Sequence, residues 1–419
     1  MKQDLVGYRG SWAVVILCAV VVVAEGYDLI VYGTLIPSLQ AEPGWELDKA
    51  SAGTIGSLVY VGMLIGSVVS GRLSDLYGRR KLALTSIAWF TAWTAACALA
   101  TSATQLGAFR LLAGIGMGGV LPCLLALAKE HSPEGRTSLA VTVMMAGLPL
   151  GGTGASLLAL AILDQHGWRF MFWIGVAVSL GILAVAWWLL PESDHFQGEM
   201  VSAARPMRDL FARQFLLLTA LFTAATFLNI LTTYGLNTWL TALMHELDYP
   251  LSSALQFSMT FNIGAVLGSF LVAYLGDRFG TRLMALIATA VTALAIALIA
   301  TGPTHTAALL VAVAVMGMGG HSSLIQITSS VANAYPVEIR ATALGWTTGT
   351  GRLGAIVSPW LGGTILAAGV DPRTLFWTFC VSSCLAGVLL IVLFVMGRSP
   401  ASESVIDDGN VVSDSRLSR

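Results

Sequence analysis

The chain has 419 residues, of which 56% are hydrophobic and only 11% charged, whereas soluble domains carry about 25% charged residues. Its 22 Lys and Arg nearly balance its 23 Asp and Glu, so no net field favours nucleic acid or a polyacidic partner, and the placement of charges carries more information than their sum. This is the composition of a polytopic membrane protein, and it excludes an ordinary soluble domain.

Apolar stretches of membrane-crossing length run over 12–36, 51–71, 82–101, 104–128, 138–162, 169–190, 214–240, 253–275, 283–301, 306–331, 341–367 and 374–396, which predicts an all-α integral membrane protein with twelve transmembrane helices. The first stretch is too long and too acidic for a signal peptide and no small-x-small cleavage site follows it, so it is expected to persist in the mature chain. Within it, "VVVVAEGYDLIVYGTLIP" (Val20 to Pro37) places Glu25 and Asp28 on one helix face. A charged acid at the bilayer centre costs about 2.5–3.5 kcal/mol on the insertion scale. Two of them need partners or a task. An acid that alternates between a wet, arginine-paired state and a dry, occluded one takes up and releases a proton as the protein moves. A permanent pairing that merely holds helices together is the competing reading.

The second helix is followed by "GRLSDLYGRRKLAL" (Gly71–Leu84), and the eighth by "AYLGDRFGTRLMAL" (Ala273–Leu286). A loop repeated at the same place in each set of six helices predicts two parallel halves. The expected organisation is an N-terminal bundle (1–193), a cytoplasmic linker (194–213) carrying an interfacial helix at "RPMRDLFAR" (Arg205–Arg213), a C-terminal bundle (214–398) and a disordered tail (399–419). With the N-terminus inside, seventeen Lys and Arg fall in inner segments, among them Arg72, Arg79, Arg80, Lys81, Lys129 and Arg136, whereas Lys49, Arg169 and Arg373 alone fall outside. That asymmetry places both termini in the cytoplasm.

In the fourth helix, "FRLLAGIGMGG" (Phe109–Gly119) sets Arg110 ahead of four glycines that permit close helix approach. At 1.5 Å per residue Arg110 lies about 9 Å from the outer end of its helix, while Glu25 and Asp28 lie about 24 and 28 Å beyond Arg9. The three share the outer half of the bilayer and can meet. In the eleventh helix Arg352 lies about 18 Å past Arg340, among Gly349, Gly351 and Gly354. Its guanidinium can offer a carboxylate two parallel hydrogen bonds, which makes it the candidate anion-recognising group. Asn262 and His321 fall near the same depth, and Tyr32, Phe261 and Trp346 offer aromatic surface, although core or lipid packing is the favoured account of aromatic residues in so aromatic a chain. The five cysteines lie in apolar segments without metal-ligand spacing. No metal cluster, nucleophile-base pair or nucleotide loop is evident, so neither an enzyme nor a cofactor is expected.

"GRLSDLYGRR" resembles the loop motif of the major facilitator superfamily, Gly-x-Leu-x-Asp-Arg-x-Gly-Arg-Arg, with Leu76 at a position usually basic. The resemblance implies that fold and a gating role for Gly71, Asp75, Gly78, Arg79 and Arg80, for Asp277, Gly280 and Arg282 in the second copy, and for Glu338 and Arg340. "EGYDLIVYGTLIPSL" (Glu25–Leu39) is similar to the first-helix signature of the aromatic acid:proton symporters, with Glu25 where Asp is usual, and "EIRATALGWTTGTGRLGAIVSPWLGG" (Glu338–Gly363) is similar to their eleventh-helix region. Arg282 stands where some members have His. The resemblance implies proton-coupled import of a monocyclic aromatic carboxylate, such as benzoate or a hydroxybenzoate, by a monomer in the bacterial inner membrane. Protons would be handled by Glu25, Asp28 and Arg110, and the substrate by Arg352, Asn262, His321, Tyr32, Phe261 and Trp346. Symport of another organic anion is the alternative. A drug exporter is another, because "GLPLGGTGAS" (Gly147–Ser156) partly resembles an antiporter motif, with Leu148 interrupting it.

Overall fold

The computed structural model describes residues 12–192, 207–302 and 305–396. Among these residues the chain is entirely helical: α1 (Trp12–Gln40), α2 (Lys49–Tyr77), α3 (Arg79–Ala98), α4 (Ala103–Glu130), α5 (Thr137–Met145), α6 (Gly147–Leu189), α7 (Arg213–Glu246), α8 (Leu251–Phe279), α9 (Thr281–Ala300), α10 (Thr306–Ala334), α11 (Val337–Ala367) and α12 (Arg373–Met396). Nine helical stretches of the described residues are long and apolar enough to cross a membrane. One of them, Thr137–Leu189, folds back at Gly167 (φ 73°, ψ 172°) and supplies two crossings. With 20 and 31 residues, α3 and α11 also have the length, but their polar side chains lower their hydropathy. The twelve-helix membrane fold therefore stands.

The fifth crossing departs from a single helix. It is α5 followed by the first part of α6, interrupted at Ala146. Pro149 has no N–H to offer the Met145 carbonyl, so the helical ladder loses that bond while the bonds of Ala146 to Thr142 and of Leu150 to Ala146 continue on either side. Most of the expected linker (194–206) and the tail (399–419) lie outside the described residues. Of the expected interfacial helix, Met207–Phe211 forms a short 3-10 turn. It is tied to α7 through Thr219 Oγ1, which donates to the Leu210 carbonyl at 3.0 Å, and to α11 through an edge-on contact of Phe211 with Trp346 at 5.1 Å.

Helix ends follow local chemistry. Asp48 caps α2 by accepting from the Ser51 N–H at 2.9 Å, and hydrogen bonding from the Ser51 side chain and then its N–H holds its carboxyl below the usual carboxylate range. Gly78 and Gly280 open α3 and α9 with nearly the same backbone, φ 89° and 94°, which only glycine adopts freely. The repeat extends to packing. In one half Gly62 and Gly66 of α2 press on the α4 backbone at Leu111 and Ile115, while Gly114 and Gly118 press back on Val59 and Met63. In the other half Gly264 and Gly268 of α8 press on Ala314 and Met318 of α10, and Gly317 on Phe261. Small residues let these backbones approach where lipid supplies no hydrophobic drive.

The two halves meet along α1 with α7, α2 with α11, and the fifth crossing with α8. Their bonds concentrate toward the end away from the repeated loops. Ser57 Oγ donates to the Ile356 carbonyl at 2.6 Å and accepts from the Trp360 N–H at 3.0 Å. Ser156 Oγ donates to Ser258 Oγ at 3.1 Å, and Lys49 pairs with Glu246 at 2.9 Å. At that end Glu42 also accepts from Arg169 (2.6 Å) and Trp168 Nε1 (2.8 Å). Desolvation works against its charge, but these bonds prevail and hold its carboxyl below the usual range. Toward the loop-motif end, Gly71, Gly345 and Gly349 face open space. The hydrogen bonds and the ion pair that join the halves thus gather toward the end away from the loop motifs.

Candidate substrate and proton site

Close packing of α1 on the fifth crossing, where Gly26 abuts the Leu148 backbone and Gly151 abuts α1 from Val23 to Tyr27, encloses both acids of α1. Glu25 is 0% and Asp28 3% exposed. Neither Glu25 carboxylate oxygen, nor Oδ1 of Asp28, has a hydrogen-bond partner. Arg110, 2% exposed, donates from Nη1 to the Asp28 backbone carbonyl at 3.2 Å and lies 4.8 Å from the Tyr32 ring centroid, a cation–π distance. It is also the cation that interacts with the Asp28 carboxylate. The cation that interacts with Glu25 is Arg352, on the other half. Arg352 is half-buried and donates from Nη1 to the Met63 carbonyl of α2 at 3.2 Å. Each acid therefore lies in the field of a different arginine, through space and without a direct ion pair. The Asp28–Arg110 pair lies within one half, and the Glu25–Arg352 pair spans the two.

Between the halves lies a narrow central cavity of about 30 Å³. Leu29, Ile30, Tyr60, Leu148 and Pro149 line it from the first half, and Thr233, Tyr234, Asn237, Asn262, Ala265 and His321 from the second. The first wall is mainly apolar and the second carries amides and an imidazole. Tyr60 and Tyr234 face each other edge-on across the gap, with ring centroids 5.3 Å apart. Tyr234 also interacts with both Arg352 and Glu25, and so links the cavity to the cross-half pair.

Of the residues singled out in the sequence for substrate contact, Asn262 and His321 line this cavity and Arg352 borders it through Tyr234. Tyr32, Phe261 and Trp346 do not line it. The Tyr32 hydroxyl donates to the Ala52 carbonyl at 2.6 Å beneath Arg110. Phe261 is buried in the core where α10 crosses α8. Trp346 Nε1 donates to Thr223 Oγ1 at 3.1 Å, toward the loop-motif end. Four polar or aromatic lining residues went unnoticed in the sequence: Tyr60, Thr233, Tyr234 and Asn237. The last three stand together in "TYGLN" (Thr233–Asn237), a polar run within an apolar span, which is the signal that could have found them.

The first loop motif is anchored through its basic residues. Arg79 pairs with Glu130, and Arg80 Nε donates to the Leu190 carbonyl at 2.7 Å while its backbone N–H donates to Glu192 at 3.0 Å. The Asp75 side chain is outside the described set. In the second copy Asp277 is exposed, and Arg282 donates to the Leu393 carbonyl at 3.4 Å. Glu338 is exposed in the first turn of α11, and Arg340 Nε donates to the Tyr335 carbonyl at 3.4 Å. No group of His, Cys, Asp and Glu among the described residues could hold a metal ion.

The model of the Major Facilitator Superfamily matches residues 18–261 and 222–410. The chain is 38% identical to the gentisate transporter of Corynebacterium glutamicum over 90% of its own length and 86% of that protein. It is 29% identical to the benzoate transport protein of Acinetobacter baylyi over 92% and 89% of the two chains. Among solved structures it resembles a D-xylose-proton symporter with a TM-score of 0.76 at 16% identity, over 90% of this chain and 97% of that one. The paired bundles and their central cavity agree with these matches: the chain belongs to the major facilitator superfamily, among its aromatic acid transporters, and is a transporter rather than an enzyme.

Proposed function

We propose that the protein couples protons to the import of a monocyclic aromatic carboxylate across a bacterial inner membrane, with both termini and the loop motifs on the cytoplasmic side. The observation that carries this reading is the buried Glu25 carboxylate, without a hydrogen bond and facing Arg352 across the two halves. A buried charge left unpaired costs several kcal/mol. When the halves move apart around Arg352, Glu25 must keep its cation or take a proton. A substrate carboxylate competes with Glu25 for the same guanidinium, so protonation of Glu25 releases Arg352 to the anion. Loss of the anion to the cytoplasm returns Arg352 to Glu25, which then sheds its proton. One proton and one anion thereby travel together. Asp28 and Arg110 move as one body within their half, and their pairing stays fixed through the cycle.

The substrate class rests on the cavity and the relatives. The apolar wall of Leu29, Ile30, Leu148 and Pro149 with the ring of Tyr60 suits an aromatic face, and the relatives carry gentisate and benzoate by name. Purified protein in proteoliposomes should accumulate labelled benzoate or gentisate when the outside is made acidic, and a protonophore should abolish the accumulation. Equilibration without accumulation would remove proton coupling. Absence of uptake would remove the aromatic substrate.

A further inference from the structure

Two amide oxygens on the polar wall of the cavity lack a partner, and their chemical identity is fixed by the bonds their amide nitrogens make. Asn262 Nδ2 donates to the Ser258 carbonyl at 2.9 Å, and Asn237 Nδ2 donates to the Thr233 carbonyl at 3.3 Å. A carbonyl accepts only from a donor, so each amide is held with its N–H₂ on the backbone and its oxygen free. Oδ1 of Asn237 and Oδ1 of Asn262 are both buried without a hydrogen bond, as is Nε2 of His321 on the same wall. Asn262 is 1% exposed and packs against Gly152 of the opposite half, where a Cβ would stand 2.5 Å from its Oδ1. A buried acceptor left unsatisfied is costly, so a ligand that supplies a donor is favoured there.

An acceptor oxygen repels a carboxylate and suits a hydroxyl. We infer that Asn237 and Asn262 are specificity-determining residues that accept hydrogen bonds from hydroxyl groups on the substrate ring, so that the transporter prefers hydroxybenzoates to benzoate. This rests on the reading of the cavity as an aromatic carboxylate site. The carboxylate turns toward Arg352 beside Tyr234, the ring lies on the apolar wall, and the ring hydroxyl points at the amides. A benzoate without a hydroxyl leaves the oxygens as they are and gains nothing from them.

The test compares the uptake KM of benzoate, 3-hydroxybenzoate and 4-hydroxybenzoate with that of 3-methoxybenzoate and 4-methoxybenzoate in proteoliposomes. A methyl ether keeps the oxygen and loses the donor. At least one hydroxybenzoate should have a KM lower than benzoate by roughly threefold to tenfold for each hydrogen bond made, and its ether should lose that advantage. Asn237→Leu or Asn262→Leu should shrink the hydroxybenzoate-to-benzoate preference by a similar factor. Equal KM values for benzoate and both hydroxybenzoates, an ether as good as its phenol, or leucine variants that keep the wild-type preference would each overturn the assignment. The ether comparison uses the unaltered protein and stands whether or not the variants fold. If none of the five acids is taken up, the aromatic-acid reading fails and this inference fails with it.

Discussion

Glu25 and Asp28 are three residues apart on one helix, yet they answer to different arginines. Counting at 1.5 Å per residue gave their depth and that of Arg110 and Arg352, because rise along a helix is fixed by the backbone. Which arginine faces which acid depends on helix rotation and on how the halves meet, and neither is written in local spacing. For the same reason Tyr32, Phe261 and Trp346 had the right depth or character but the wrong direction. The pairing separates three variants. Glu25→Gln removes the group that exchanges partners, so it should abolish pH-driven accumulation while exchange of labelled for unlabelled substrate persists. Asp28→Asn leaves Arg110 buried within its own half without a countercharge, so it should lower the thermal midpoint of the detergent-solubilised protein as well as transport. Equal midpoints with selective loss of accumulation in Asp28→Asn would move the proton site to Asp28. Arg352→Lys keeps the charge and loses the planar fork, so it should weaken substrate binding by about 1.5–3 kcal/mol, the range for a hydrogen bond to a charged group. An unchanged KM in that variant would place the carboxylate elsewhere.

The helices themselves were legible, since a stretch of about 20 apolar residues has few alternatives in lipid, and the repeated loop announced the two halves. The break between α5 and α6 was not foreseen, although Pro149 stands three residues beyond Ala146. A proline in a membrane helix is often tolerated, and only its neighbours decide whether the ladder parts. Glycines divide into two physical kinds in this fold. Gly280 has a left-handed φ of 94° with open space where a Cβ would stand, whereas Gly264 is helical with the Ala314 backbone in that space. Gly280→Ala should therefore cost only the backbone penalty of that glycine-favouring region, about 1–3 kcal/mol. Gly264→Ala gains helix propensity of about 1 kcal/mol but must push α10 away from α8. Overpacking against a rigid backbone costs about 1–3 kcal/mol or more. Thermal melts of the two variants in detergent should show comparable drops, and only Gly264→Ala, which displaces one helix from another, should also lose transport. Full transport in Gly264→Ala would mean that the α8–α10 contact is softer than its geometry indicates.

At the scale of the whole molecule, the halves are joined toward the end away from the loop motifs by the Ser57, Ser156 and Lys49–Glu246 contacts. The sequence showed two halves but not the state they occupy, because alternative packings of one chain share the same helices and differ only in contacts between them. Rigid-body movement of one half against the other has a definite electrical consequence. The Asp28–Arg110 pair lies inside one half and is carried along unbroken. Of the two buried acids of α1, Glu25 alone has its arginine on the other half, so it is the one that changes partners. One proton then accompanies each monoanion, and no net charge crosses. A second proton would move one positive charge inward per cycle, and each 100 mV of membrane potential would add about 2.3 kcal/mol to the driving force. Uptake of labelled benzoate into proteoliposomes without a pH gradient should therefore be indifferent to an interior-negative potassium-valinomycin potential, while an acid-outside gradient should drive accumulation on its own. Acceleration by the potential would show that a second proton enters. If Asp28→Asn removed that acceleration and spared pH-driven uptake, the pair within the half would be the second proton site, and the halves could not be moving as rigid bodies around it.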